Sequence, residues 1–163
     1  ADADFLYLLS DEAMEVGSSW DVDVLAFDLI SSPSGNLRID SPDSDEEEDE
    51  LFAESFRDGL AGTLEGTYES LEDDVATIVF EGEVTTSFEI EDEDGEVPST
   101  QKFDFTFEVS GTLLWNMETG VASEFQFGGN VEMQIDRVMA FGESEFVQSQ
   151  RLEGEFESTA KFE

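Results

Sequence analysis

The chain contains no cysteine and no histidine. Disulfide staples, thiolate nucleophiles, imidazole acid–base chemistry and zinc sites built on Cys or His are excluded with them. Positive charge is nearly as scarce: 6 Lys and Arg stand against 43 Asp and Glu, a formal net charge of -37 on 163 residues. Phosphate contacts need Lys and Arg, so nucleic acid is set aside as a partner. Long apolar runs are missing too. The longest, Phe5 to Leu9, is far shorter than the roughly 18 residues of a membrane-spanning helix. No secretory leader is visible at the start, where Ala1-Asp2-Ala3-Asp4 reads as a cleaved terminus or an excision point.

A surface of one sign repels itself and opposes compaction. Salt relieves this, because the screening length falls from about 8 Å at physiological ionic strength to about 3 Å at 1 M. The sequence is therefore expected in surroundings that supply cations. Glu outnumbers Asp, which favours an exported protein of a marine bacterium over the cytoplasm of a halophile.

What is present is a period of two. Val84, Thr86, Phe88 and Ile90 alternate with Glu83, Thr85, Ser87 and Glu89. Phe103, Phe105, Phe107 and Val109 alternate with Asp104, Thr106 and Glu108. The same holds for Phe125 and Phe127, for Val131, Met133 and Ile135, and for Leu152 to Phe162 with Glu153, Glu155 and Glu157 opposite. Such alternation predicts half-buried antiparallel strands. Ile135, Val138 and Met139 also fit helical spacing, which makes that stretch the least secure. Turns are expected at Leu71 to Asp74, at Asp92 to Gly95 with Pro98 beyond it, and at Asn116 to Gly120, where Gly120 can take a positive φ.

Counting from Trp20, Val22 and Val24 onward gives about eight strands at the 8 to 12 residue spacing of an all-β barrel or sandwich. The outward faces are acidic or hydroxylic, so a flat sheet would leave its phenylalanines wet. One domain over residues 1–163 is expected, its single antiparallel sheet strongly curved into a barrel or half-barrel. A two-layer β-sandwich is the alternative. Residues 40–50, Asp-Ser-Pro-Asp-Ser-Asp-Glu-Glu-Glu-Asp-Glu, read as an acidic loop insertion that cannot pack. Leu51, Phe52, Phe56 and Leu60 then suggest one face of a short helix near residues 51–58, with Glu54 and Arg57 three apart on it.

Chemistry-bearing constellations are few. Phe103, Phe105, Phe107, Phe125 and Phe127 would line a curved sheet and offer an apolar ligand-binding surface, although filling the core is the commoner use of such residues. A glycosidase needs two carboxylates at a set separation, but 43 acids single out no pair, and no catalytic residue is assigned. Trp20 and Trp115 fit a core role better than that of sugar platforms. Calcium is the metal whose ligand type matches. Its densest candidates are Asp40, Asp43 and Asp45 in one segment and Asp92 and Asp94 in another, and neither follows the EF-hand pattern. Diffuse cation association is the simpler expectation, and no cofactor is expected.

Met14-Glu15-Val16-Gly17-Ser18-Ser19-Trp20 resembles the V-x-V-G-D-x-W motif of an uncharacterised, β-rich exported family of planctomycetes and related bacteria. Tyr68 to Ile78 is similar to that family's strand–turn–strand step, and Gly111 to Gly120 to its G-x-L-x-W/F-D-x-x-T-G hairpin. Ser18 and Asn116 stand where the family has Asp. The resemblance implies export and an all-β fold, and supplies no catalytic residues. The expected role is thus a non-enzymatic domain of the periplasm, cell envelope or exterior, acting as an interaction module or a carrier of an apolar ligand. Its partner would be an apolar small molecule, an envelope component or the remainder of a longer chain. A two-carboxylate carbohydrate-active enzyme and a calcium-dependent adhesive or structural module are the alternatives.

Overall fold

A computed structural model of the chain describes residues 3–31, 46–92 and 97–162. A 3₁₀ helix over Ala3–Leu8 leads into β1 (Ser19–Val22), α1 (Ala26–Ser31) and α2 (Glu46–Asp58). Five long strands follow: β2 (Ala61–Glu72), β3 (Val75–Asp92), β4 (Ser99–Asn116), β5 (Val121–Phe141) and β6 (Ser144–Lys161). All six strands form one antiparallel sheet in chain order, β1-β2-β3-β4-β5-β6. The protein is all-β in its main body, as the alternation requires.

Among the described residues the sheet has six strands, not about eight, and it does not close into a barrel: β1 and β6 lie at opposite ends of the order. It is also one sheet rather than the two of a sandwich. The excess in the sequence count comes from glycine. Val75 to Glu81 and Val84 to Ile90 are one strand running through Gly82; Phe103 to Val109 continues through Gly111 to Trp115; Phe125, Phe127, Val131 and Ile135 are joined across Gly128 and Gly129. Gly82, Gly111 and Gly129 face inward, where an apolar side chain would have kept the period visible. One row across the sheet reads Trp20–Gly66–Phe80–Gly111–Phe127. Each glycine there leaves room for a ring on its neighbour. A Cβ at Gly66 would come within 2.7 Å of the Trp20 indole, and one at Gly111 within 3.4 Å of the Phe127 ring. The next row alternates likewise, Leu64–Gly82–Val109–Gly129–Phe156. Strand interiors take glycine where another group approaches this closely.

The turns follow local chemistry. Asp73 and Asp74 join β2 to β3 with φ of 49° and 64°, the paired positive values of a two-residue hairpin turn that Asp tolerates. At the β4–β5 turn Gly120 has φ 68°, and the Asn116 Oδ1 accepts from the Glu118 and Thr119 amides at 3.0 and 2.8 Å. The Ile135–Met139 stretch is strand throughout, inside β5.

Helix α2 corrects the acidic-loop expectation in part. Residues 46–50 belong to the helix, and 40–45 lie outside the described residues. The helix runs on to Asp58. Its basic residue does not pair as expected either: the Arg57 Nε donates to Asp28 Oδ2 at 2.7 Å, tying α2 to α1. That hydrogen bond, more than Asp58 or Glu54, raises the Arg57 pKa above its ordinary value.

Candidate interaction surfaces

The inner face collects the aromatic side chains. Phe103, Phe105 and Phe107 stack along β4 with centroids 6.4 and 5.9 Å apart, and Phe125 and Phe127 stack along β5 at 6.0 Å. Phe27 of α1 joins the two ladders, 4.8 Å from Phe107 and 5.9 Å from Phe127, and Phe156 of β6 does the same at 6.3 and 5.4 Å. From α2, Phe52 meets Phe103 at 5.3 Å and Phe56 meets Phe105 at 5.6 Å. At the other end Phe5 covers Phe125 at 5.0 Å. The structure thus brings together all five rings singled out from the sequence and sets protein side chains against them. Phe125 and Phe127 are buried, while Phe103, Phe105 and Phe107 are half-buried.

Phe27 was not legible beforehand, because α1 has six residues, too few for a helical period to register. Trp115 is buried within the same core, and Trp20 is half-buried at its margin with its indole N–H donating to the Leu8 carbonyl at 3.1 Å. Both serve packing.

The outer face carries the acids in register. Asp21 opposes Glu65, which opposes Glu81; Glu83 opposes Glu108; Glu132 opposes Glu153. Like charges directly opposite one another destabilise a sheet. Glu65, Glu81, Glu83 and Glu108 border one shallow trough together with Ser110 and Asn130, and Glu132, Glu153 and Glu155 border its neighbour. The scattered cations answer only locally: Arg151 reaches Glu132 and Glu153 at 3.0 and 3.3 Å, Lys102 reaches Asp104 at 3.0 Å, and Lys161 reaches Glu124 at 3.3 Å. Such exposed pairs add little stability.

Among the described residues two carboxyls, Asp104 and Asp136, depart from the ordinary range. The Ser87 hydroxyl, 2.6 Å from Asp104 Oδ1, is the main cause that holds the Asp104 pKa down, with Lys102 assisting. Asp136 is held down by Ser149 and then Gln134. A carboxyl depressed in the folded state contributes stability above its unfolded pKa and loses it as pH falls through the folded value. Ser87→Ala is expected to move the Asp104 midpoint upward in a carboxyl-carbon NMR titration; an unmoved midpoint would contradict the assignment.

Of the metal candidates, Asp40, Asp43, Asp45 and Asp94 lie outside the described residues, and Asp92 ends β3. Among the described residues no three carboxylates converge as metal ligands, and no helix is long and apolar enough to cross a membrane.

A third surface had no signal in the sequence. Beyond α2, the far ends of β5 and β6 expose Phe141, Phe146, Val147 and Leu152, at 53%, 54%, 59% and 49% of their full accessibility. Pairing puts Phe146 beside Met139 and Leu152 beside Met133 on the inner face, and Val147 beside Val138 on the outer. Among the described residues β6 pairs only with β5, which leaves its other edge without a strand partner there along 18 residues. Alternation alone does not say which strand will lie at an edge.

No protein-family model, curated protein or solved structure matches the chain.

Proposed function

We propose that the chain is a non-enzymatic, exported β-domain whose half-barrel sheet serves as an interaction module. The observation that carries this reading is the contrast between the two ends of the inner face. Around Phe27 the rings contact one another, whereas at the β5–β6 end Phe141, Phe146 and Leu152 are exposed beside an open strand edge. Exposed apolar side chains beside unpaired backbone donors and acceptors are the features by which sheets recruit a further strand. A carrier would instead keep free volume among its rings. Export rests on the family resemblance and on the charge, which suits surroundings rich in cations.

Titration with a fluorescent fatty acid, read alongside native mass spectrometry, separates module from carrier. The module gives no saturable one-per-chain complex. Stoichiometric binding that is lost on widening Phe107 or Phe127 to Trp would overturn this reading in favour of the carrier.

A further inference from the structure

Resting on the module reading, we infer that the partner of the open β6 edge is a second copy of this chain, bound antiparallel through β6 about a two-fold axis at Ser149. The first observation is charge. In a chain of net charge -37, the stretch Phe146-Val147-Gln148-Ser149-Gln150-Arg151-Leu152 contains no acid. Lys102 pairs in register with Asp136, Arg137 with Gln101 and Arg151 with Gln134, so half of the chain's 6 basic residues sit on β4, β5 and β6 at this end of the sheet. Two highly acidic bodies can approach most closely where the acid is absent. A cationic partner would be drawn to the outer-face glutamate rows instead.

The second observation is self-complementarity. A two-fold axis normal to the sheet keeps inner faces together, so residues that oppose one another must share parity. Centred on Ser149, the register sets Phe146 against Leu152 of the second copy on the inner face, twice by symmetry, with Gln148 against Gln150 between them. On the outer face Val147 meets the stem of Arg151. The like-charged pair, Glu145 opposite Glu153 of the second copy, has Arg151 diagonally adjacent to one and already 3.3 Å from the other. Moving the centre by one residue in the same-face register leaves Phe146 opposite Gly154 and Leu152 opposite Gln148, and the apolar match is lost. The product is a continuous sheet of twelve strands with an apolar Phe146–Leu152 contact on either side of the axis.

Because two negative bodies are being joined, assembly must strengthen with salt. Sedimentation equilibrium at fixed protein concentration, in NaCl of about 0.1 and about 1 M (screening lengths of about 10 and 3 Å), is expected to show the weight-average mass rising from the one-chain toward the two-chain value. The double substitution F146K/L152K should hold the mass at one chain in both buffers with an unchanged circular dichroism spectrum, since both side chains are about half exposed already. The absence of cysteine permits a test of register: directly opposed residues have Cα atoms about 4.5 to 5.5 Å apart, within disulfide range. Ser149→Cys should cross-link in oxidising high salt, and Thr159→Cys, exposed on the same strand but remote from the axis, should not. A one-chain mass in both buffers, a dimer indifferent to F146K/L152K, or equal cross-linking at both positions would overturn the inference. None of these would touch the module reading, which falls to stoichiometric fatty-acid binding.

Discussion

Phe27→Ala is expected to cost about 3–5 kcal/mol, the range for deleting a buried Phe. That is a large part of the roughly 5–15 kcal/mol that holds a typical domain folded. The ring is 1% exposed and bridges the β4 and β5 ladders through Phe107 and Phe127. Its removal leaves a hole in contact with both stacks and loosens α1 from the sheet. Aspartate 28 on the same helix holds Arg57 of α2, so the loosening should spread to the second helix. Urea unfolding measures the loss as a lower midpoint at similar slope. A loss below about 1 kcal/mol would mean that the inner face has slack of the kind an apolar carrier keeps, well short of ordinary core costs.

Salt should act nearly as strongly, in the opposite direction. Between about 0.1 and 1 M NaCl the screening length drops from about 10 to 3 Å, comparable with the spacing of opposed residues. The Asp21–Glu65–Glu81 row and the Glu83–Glu108 and Glu132–Glu153 pairs each repel across adjacent strands, at a few tenths of a kcal/mol per neighbouring pair. Summed over a net charge of -37, relief of about 3 kcal/mol is expected. That amounts to a rise of about 10 °C in Tm, at 2–4 °C per kcal/mol for a domain of this size. The monomeric F146K/L152K variant should show most of the same rise, which separates screening from self-association. A Tm that is flat across this range would show that the acid rows do not strain the sheet. A larger rise with calcium than with sodium at matched ionic strength would instead point to built cation sites.

The sequence revealed faces more readily than extents. Val84, Thr86, Phe88 and Ile90, like Phe103, Phe105 and Phe107, lie on the inner face where alternation placed them, because one-sided burial forces parity. The ends of strands were obscured wherever an inward position holds glycine. Gly82, Gly111 and Gly129 are small to fit neighbouring rings or backbone, and a reading tuned to apolar periodicity takes each for an interruption. Gly129 shows the physical demand most clearly: any Cβ there would overlap the Glu108 carbonyl. Closure depends on packing that alternation does not record: Phe52 and Phe56 of α2, Phe27 of α1 and Phe5 of the 3₁₀ helix cover phenylalanines that further sheet would otherwise have to shield.

The candidate surfaces were legible to a similar degree. All five rings proposed for an apolar ligand fall in one connected stack, but their contacts are with other rings, which composition cannot foretell. The exposed cluster at Phe141, Phe146 and Leu152 depends on which strand comes last and how far α2 reaches along the sheet. Both are properties of the assembled molecule.

Residue-resolved amide exchange in low salt tests the central claim most directly, since it reports continuity and edge together. An antiparallel strand sends alternate N–H groups to either side. The account predicts unbroken protection along β3, β4 and β5 through Gly82, Gly111 and Gly128–Gly129, with every second amide of Ser144–Lys161 exchanging freely. Gaps in protection at those glycines, or uniform protection along the whole of β6, would contradict it.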